Sequence, residues 1–149
     1  MLVLFTDTDT DLTPAAAKEF GYHLISMPYS IDGETVYPDE DFETFDAHAF
    51  YDKLRAGALP NTSAISEQRY IDYFEPFLKN GDDILYVHFS RAMTATFDNM
   101  DKALEQLKAK YPDRTVYTID TKGITLNALG VVLEVGDLHK IGIGRASCR

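Results

Sequence analysis

The sequence predicts an α/β fold: a parallel, doubly wound, Rossmann-like sheet flanked by helices in three layers, αβα. Three observations predict it. Short, wholly apolar runs alternate along the chain with amphipathic helical stretches, the order of a parallel sheet covered on both faces. Each apolar run ends in a polar, hydroxyl-rich turn that opens the next helix. The 149 residues, 45% hydrophobic and 26% charged, suffice for one packed domain and are too few for two.

The elements follow in order. Residues 2–5 form an apolar run that meets Thr6 and Asp7, as a buried strand feeding a loop does. This start has no basic region ahead of its apolar run, so it reads as a first strand and not as a signal peptide. Thr13 is placed to cap a helix, with Pro14 in its first turn, and Gly21 to end it. Residues 23–29 read as a second strand, closed by the Asp32-Gly33 turn, after which residues 34–37 return. An acidic loop spans 39–45, and a helix over 46–56 places Phe50 and Leu54 on one face before Gly57. Residues 59–63 read as a polar loop.

Ser66 or Ser63 caps the next helix, whose apolar face carries Tyr70, Phe74, Phe77 and Leu78. Pro76 is expected to shorten or kink it. Asn80-Gly81 breaks the chain, and residues 84–89 are the clearest buried strand. Residues 90–96 form a second hydroxyl-rich loop, followed by a helix with Phe97, Met100, Leu104 and Leu107 on one stripe. A turn at Tyr111-Pro112-Asp113, a strand over 116–119 and a helix over 124–135 complete the alternation. The domain is therefore expected to span 1–135. Residues 136–149 read as a tail, frayed or non-native, at the end of a truncated chain.

A net charge of -10 opposes binding to nucleic acid or to anionic membranes, both of which need clustered Lys and Arg. No apolar run approaches the ~20 residues of a membrane span. The single cysteine, Cys148, forms no internal disulfide, which suits the reducing cytoplasm. No cofactor or metal is expected. The acidic stretch 39–46 offers a surface for a basic partner, although a solvated loop is the commoner use of such a run.

Three loops carry the chemistry: 6–13, 62–63 and 90–96. Loops of this kind gather at the C-terminal edge of an open parallel sheet, where ligands bind. Helix N-termini there offer unpaired N–H groups and partial positive charge, and hydroxyls add donors without charge. Together they suit a carboxylate or phosphate. For any single Ser or Thr, capping alone is the more frequent role. Asp7-Thr8-Asp9 after a strand also imitates the Asp-x-Asp motif of haloacid-dehalogenase-type phosphatases, with Asp7 as nucleophile and magnesium as cofactor. Asp11 departs from that family's pattern, and no glycine-rich flank follows Asp9.

Read in order, the loops resemble the DegV family of fatty-acid-binding proteins, across about residues 2–135. Thr6-Asp7-Thr8-Asp9-Thr10-Asp11-Leu12-Thr13 is similar to its Thr-Asp-Ser-x-x-Asp-Leu-Pro opening. Tyr37-Pro38-Asp39 fits its Tyr-x-Asp segment. Pro60-Asn61-Thr62-Ser63-Ala64-Ile65-Ser66 looks like Pro-x-Thr-Ser-Gln-Pro-Ser. Phe89-Ser90-Arg91-Ala92-Met93-Thr94-Ala95-Thr96-Phe97 resembles Ser-Ser-x-Leu-Ser-Gly-Thr-Tyr, and Ile119-Asp120-Thr121 matches Ile-Asp-Ser.

The resemblance implies a non-catalytic carrier of one long-chain fatty acid, which can be presented to a fatty-acid kinase. It implies that Thr62 and Thr94 hydrogen-bond the carboxyl group, while Asp7 and Ser90 shape the surrounding loops. Ser63, Thr96 and Arg91 complete the expected set, Arg91 as a cation near the head group. The chain departs from the family at Ala64 and Ile65 (Gln and Pro), at Ala95 (Gly) and at Arg91 (Ser). The family's second domain has no counterpart here, and none of His23, His48, His88 and His139 matches its head-group histidine by motif.

Overall fold

The computed structural model describes residues 1–40 and 45–142. Part of the acidic loop (41–44) and the end of the expected tail (143–149) lie outside the described residues.

Four parallel strands form the central sheet: β1 (Leu2–Asp7), β2 (Tyr22–Ile25), β6 (Asp83–His88) and β7 (Val116–Asp120), in the order β2-β1-β6-β7. A second, antiparallel sheet is built from β3 (Tyr29–Ile31), β4 (Glu34–Val36) and β5 (Asn61–Thr62), in the order β4-β3-β5. The helices are α1 (Pro14–Phe20), α2 (Ala47–Arg55), α3 (Glu67–Lys79), α4 (Thr96–Lys110) and α5 (Leu126–Lys140).

Alternation along β1 and β6 divides the core between the two faces of the sheet. Phe5, Ile84 and Tyr86 point to one face, where Tyr70, Phe74 and Leu78 of α3 and Phe97, Met100, Ala103 and Leu107 of α4 cover them. Leu4 and Val87 point to the other, against Leu12, Ala17, Tyr22 and Val132. The fold is thus the expected three-layer α/β arrangement. β1 pairs with β2 on one side (Leu4 to Tyr22) and with β6 on the other (Leu4 to Leu85). The strand order reverses beside β1, and this is where open α/β sheets form a ligand crevice beyond the carboxyl ends of the strands.

Four expectations are corrected. The strand expected over 23–29 is two strands in two sheets. Pro28 has no N–H to give a ladder, and the Ser26 hydroxyl instead donates to the carbonyl of Pro38 at 2.6 Å, turning the chain out of the parallel sheet. Within the loop expected over 59–63, Asn61 and Thr62 pair with Ser30 and Tyr29 as β5. α3 runs past Pro76 to Lys79. The ring lies on the exposed side in the last turn, where water can serve the carbonyl that loses its partner. α5 continues through 136–140, beyond the expected helix end at 135. Gly136 is buried against α1 and β2; a Cβ there would sit 2.6 Å from the Phe20 ring and 3.2 Å from that of Tyr22. Only a residue without a side chain lets the helices approach this closely.

Other local signals act as read. The Thr13 and Ser66 side chains cap α1 and α3 by accepting from Ala16 N and Arg69 N, both at 3.2 Å. Asp32 and Gly33, at φ 53° and 81°, form the hairpin turn between β3 and β4. Phe50 of α2 packs edge-on to Tyr29 of the small sheet, ring centroids 5.2 Å apart. Among the described residues no helix is long and apolar enough to cross a membrane.

Candidate functional site

The turns leaving β1, β2, β6 and β7 meet at the C-terminal edge of the sheet and are tied there by hydrogen bonds. Thr8, in a short 3-10 turn after β1, accepts from Met27 N at 3.0 Å. The Asp9 carbonyl accepts from Thr125 N at 2.9 Å, and the Gly123 carbonyl from Ser90 N at 2.8 Å. The Thr6 hydroxyl donates to the Val87 carbonyl at 2.8 Å, and that of Thr10 to the Asp7 carbonyl at 2.7 Å. Thr125 itself sits at φ 53°, ψ -131°, a strained conformation for a β-branched residue, at the first turn of α5.

The small sheet adds a further turn to this edge. The chain leaving β5 is fixed at Ile65, whose N–H donates to Thr96 Oγ1 at 2.9 Å and whose carbonyl accepts from the Asn99 side chain at 2.9 Å. The turn that carries Thr62 is thereby bound to the N-terminus of α4, two residues beyond Thr94. Thr62 and Ser63 are exposed, while Thr94 is half-buried and its hydroxyl accepts from Thr96 N at 3.1 Å. Ser90 is buried and caps the 3-10 turn over 91–93, accepting from Ala92 N at 3.3 Å.

Three more of the expected residues are already engaged by neighbouring side chains or backbone. Arg91 is held by Asp101 through both terminal guanidinium nitrogens, at 3.1 and 2.5 Å, so its charge is already matched. Thr96 is buried, its oxygen engaged by Ile65 N and by the Tyr70 hydroxyl at 3.3 Å. Asp7 is wholly buried beneath the loops: its Oδ2 accepts from Tyr86 Oη at 3.0 Å and from Phe89 N at 3.1 Å, and its Oδ1 has no hydrogen-bond partner among the described residues. Burial first, and the nearby Asp9 charge second, push its carboxyl up to about 8. Asp9 is itself raised, by burial and by Asp11.

Sequence reading missed Tyr70, Tyr86 and Asn99. The two tyrosines fall on apolar stripes and pass for core. The available signal was the choice of Tyr over Phe, because a buried phenol almost always has a partner. Asn99 lies on an amphipathic helix with nothing to mark it.

A family model described as an uncharacterised protein of the DegV family matches residues 1–147. The chain belongs to the DegV family. A DegV domain-containing protein of Clostridium perfringens is 34% identical over 140 residues, covering 94% of this chain and 48% of the relative. A stearic-acid-binding protein from Eubacterium ventriosum has the same fold, with a TM-score of 0.86 at 19% identity, over 99% of this chain and 50% of that one. DegV of Bacillus subtilis, a fatty acid binding protein, follows with a TM-score of 0.80 at 19% identity, over 97% and 49%. The chain thus spans about half the length of the DegV proteins it matches. The Ile65–Thr96 bond joins the segment that follows Thr62 to the segment that follows Thr94.

Proposed function

We propose that this chain supplies the head-group half of a non-catalytic carrier for a long-chain fatty acid. The Thr62 and Thr94 hydroxyls donate to the carboxylate, with Ser63 beside them, and Ser90 and Asp7 hold the loops in place. The observation that carries this reading is the Ile65–Thr96 hydrogen bond of 2.9 Å, which ties the Thr62 turn to the Thr94 turn beside the N-terminus of a 15-residue helix. Fatty-acid binding by relatives of the same fold supports it. Presentation of the bound acid to a fatty-acid kinase in the cytoplasm belongs to the same proposal.

Tail and head contribute differently. Each buried methylene is worth about 0.8 kcal/mol, so a dozen give on the order of 10 kcal/mol before association costs. A charge-assisted hydrogen bond adds roughly 1.5–3 kcal/mol. The tail thus dominates affinity, and the hydroxyls decide which end lies at the loops. A cleft of about 210 Å³ between α3 and β2 is lined by Phe5, Leu24 and Phe77 but also by Glu40 and Asp72, and by none of the expected head-group residues. In this proposal the part of the relatives' length that this chain does not span supplies part of the tail's enclosure.

The wholly buried Asp7 carboxyl, one oxygen of it already accepting two hydrogen bonds, also favours a carrier over a phosphatase, whose nucleophile must reach phosphorus. Native mass spectrometry of the protein purified without detergent should show a bound long-chain acid. Palmitate titration should show Thr62→Val and Thr94→Val each weakening binding by roughly tenfold to a hundredfold. Ligand-free protein that also ignores added palmitate and oleate would overturn the reading. So would magnesium-dependent phosphatase turnover abolished by Asp7→Asn.

A further inference from the structure

Under the loops lies a polar cluster that direct head-group contact does not use. Asp7 at the end of β1, Tyr86 in β6, Tyr70 in α3 and Thr96 at the start of α4 are each 1% exposed or less. The Tyr86 hydroxyl donates to Asp7 Oδ2 at 3.0 Å, beside the hydroxyl of Tyr70. The Tyr70 and Thr96 hydroxyls are 3.3 Å apart, and Thr96 Oγ1 accepts from Ile65 N at 2.9 Å. Two bonded groups result: Ile65, Thr96 and Tyr70 on one side, Tyr86 and Asp7 on the other. The first group anchors the backbone of the turn that follows Thr62, and the second lies at the end of β1.

Thr96 is the pivot of the first group. The side chain holds Ile65, while the backbone N–H donates to the Thr94 hydroxyl at 3.1 Å. One residue therefore fixes both turns that carry the exposed hydroxyls. Phenylalanine would fill the sites of Tyr70 and Tyr86 equally well, so the phenol oxygens are present for the bonds they make. A buried hydroxyl without a partner is costly, which locks each member once its bonds are made.

We propose that Thr96 and Tyr70 are positioning residues that hold the Thr62 and Thr94 turns at the separation a carboxylate needs. They set the preference for a free acid over its uncharged ester, and leave the grip on the acyl chain unchanged. The proposal rests on the head-group reading above.

The test compares palmitate with methyl palmitate in fluorescent-probe displacement by the whole protein, with Thr96→Val, Thr96→Ser and Tyr70→Phe. The expected result for Thr96→Val is a tenfold or greater loss of palmitate affinity, with the ester held within twofold. Thr96→Ser keeps the oxygen and should recover most of the acid preference. Tyr70→Phe should lose severalfold, again for the acid alone. Equal losses for acid and ester would reduce Thr96 and Tyr70 to a structural role and overturn the proposal, as would an unchanged Thr96→Val. Should Thr96→Val not fold, by circular dichroism, Tyr70→Phe and Thr96→Ser decide in the same way. A wild type that binds neither ligand would instead sink the carrier reading itself, a separate and recognisable failure.

Discussion

Asp7 is the residue whose chemistry departs furthest from its ordinary behaviour. Its proton is held to a pH of about 8 in the folded protein, against an ordinary value of 3.8. A folded pKa above the unfolded one gives stability that is complete below about pH 4 and is lost as pH rises through 8. Within that window the slope approaches roughly 1 kcal/mol per pH unit. His23 and His88 are lowered by burial and act in the opposite sense at the acid end. The comparison with Asp7→Asn removes their share. Urea midpoints at pH 5, 6.5 and 8 should show the asparagine variant gaining steadily on the wild type, because its amide oxygen can still accept from Tyr86 and Phe89. A wild type that instead gains on the variant with rising pH would mean that Asp7 folds as an anion. Sequence reading found Asp7 by its place after a strand and could not find its burial. That depends on the Tyr86 and Phe89 donors, which lie 79 and 82 residues away.

Among the elements, α5 gives the sharpest contrast, because two of its glycines sit in opposite surroundings. Gly130 is exposed, and a methyl added there would have nothing within 4 Å, whereas a methyl at Gly136 would meet Phe20 at 2.6 Å. Gly130→Ala should stabilise by about 0.5–1 kcal/mol through helix propensity alone. Gly136→Ala gains the same propensity but forces α1 and β2 outward, at about 1–3 kcal/mol, so its net effect should be destabilising. Thermal melts of the two variants moving in opposite directions would bear this out, and a Gly136→Ala melt at or above wild type would refute it. Propensity and period made most elements legible: caps at Thr13 and Ser66, stops at Gly21 and Asp32-Gly33, stripes on α3 and α4. They failed where tertiary contacts decide. β5 is two residues long and has no period to read. The fate of Pro76 turned on which side of α3 meets water. The end of α5 turned on one close approach that no local rule encodes.

For the whole molecule, alternation of strands and helices was enough to place the loops on one edge, and the ordered motifs named the family. The site was less legible, because its surface residues are supported by partners distant in sequence. Chain-length titration tests the division between head and tail. Acids from eight to sixteen carbons should gain about 0.8 kcal/mol per methylene while the tail remains enclosed. The gain should flatten at the length where enclosure ends. A response independent of chain length would argue for recognition of the anion alone.

The backbone bonds that join Asp9 to Thr125 and Ser90 to Gly123 mean that the rim is stitched from strand-end to strand-end. Amides at Thr125, Ser90 and Met27 should therefore take up deuterium together and late, as a single cooperative hoop. An occupant that touches only two stitches would then quieten the entire circumference.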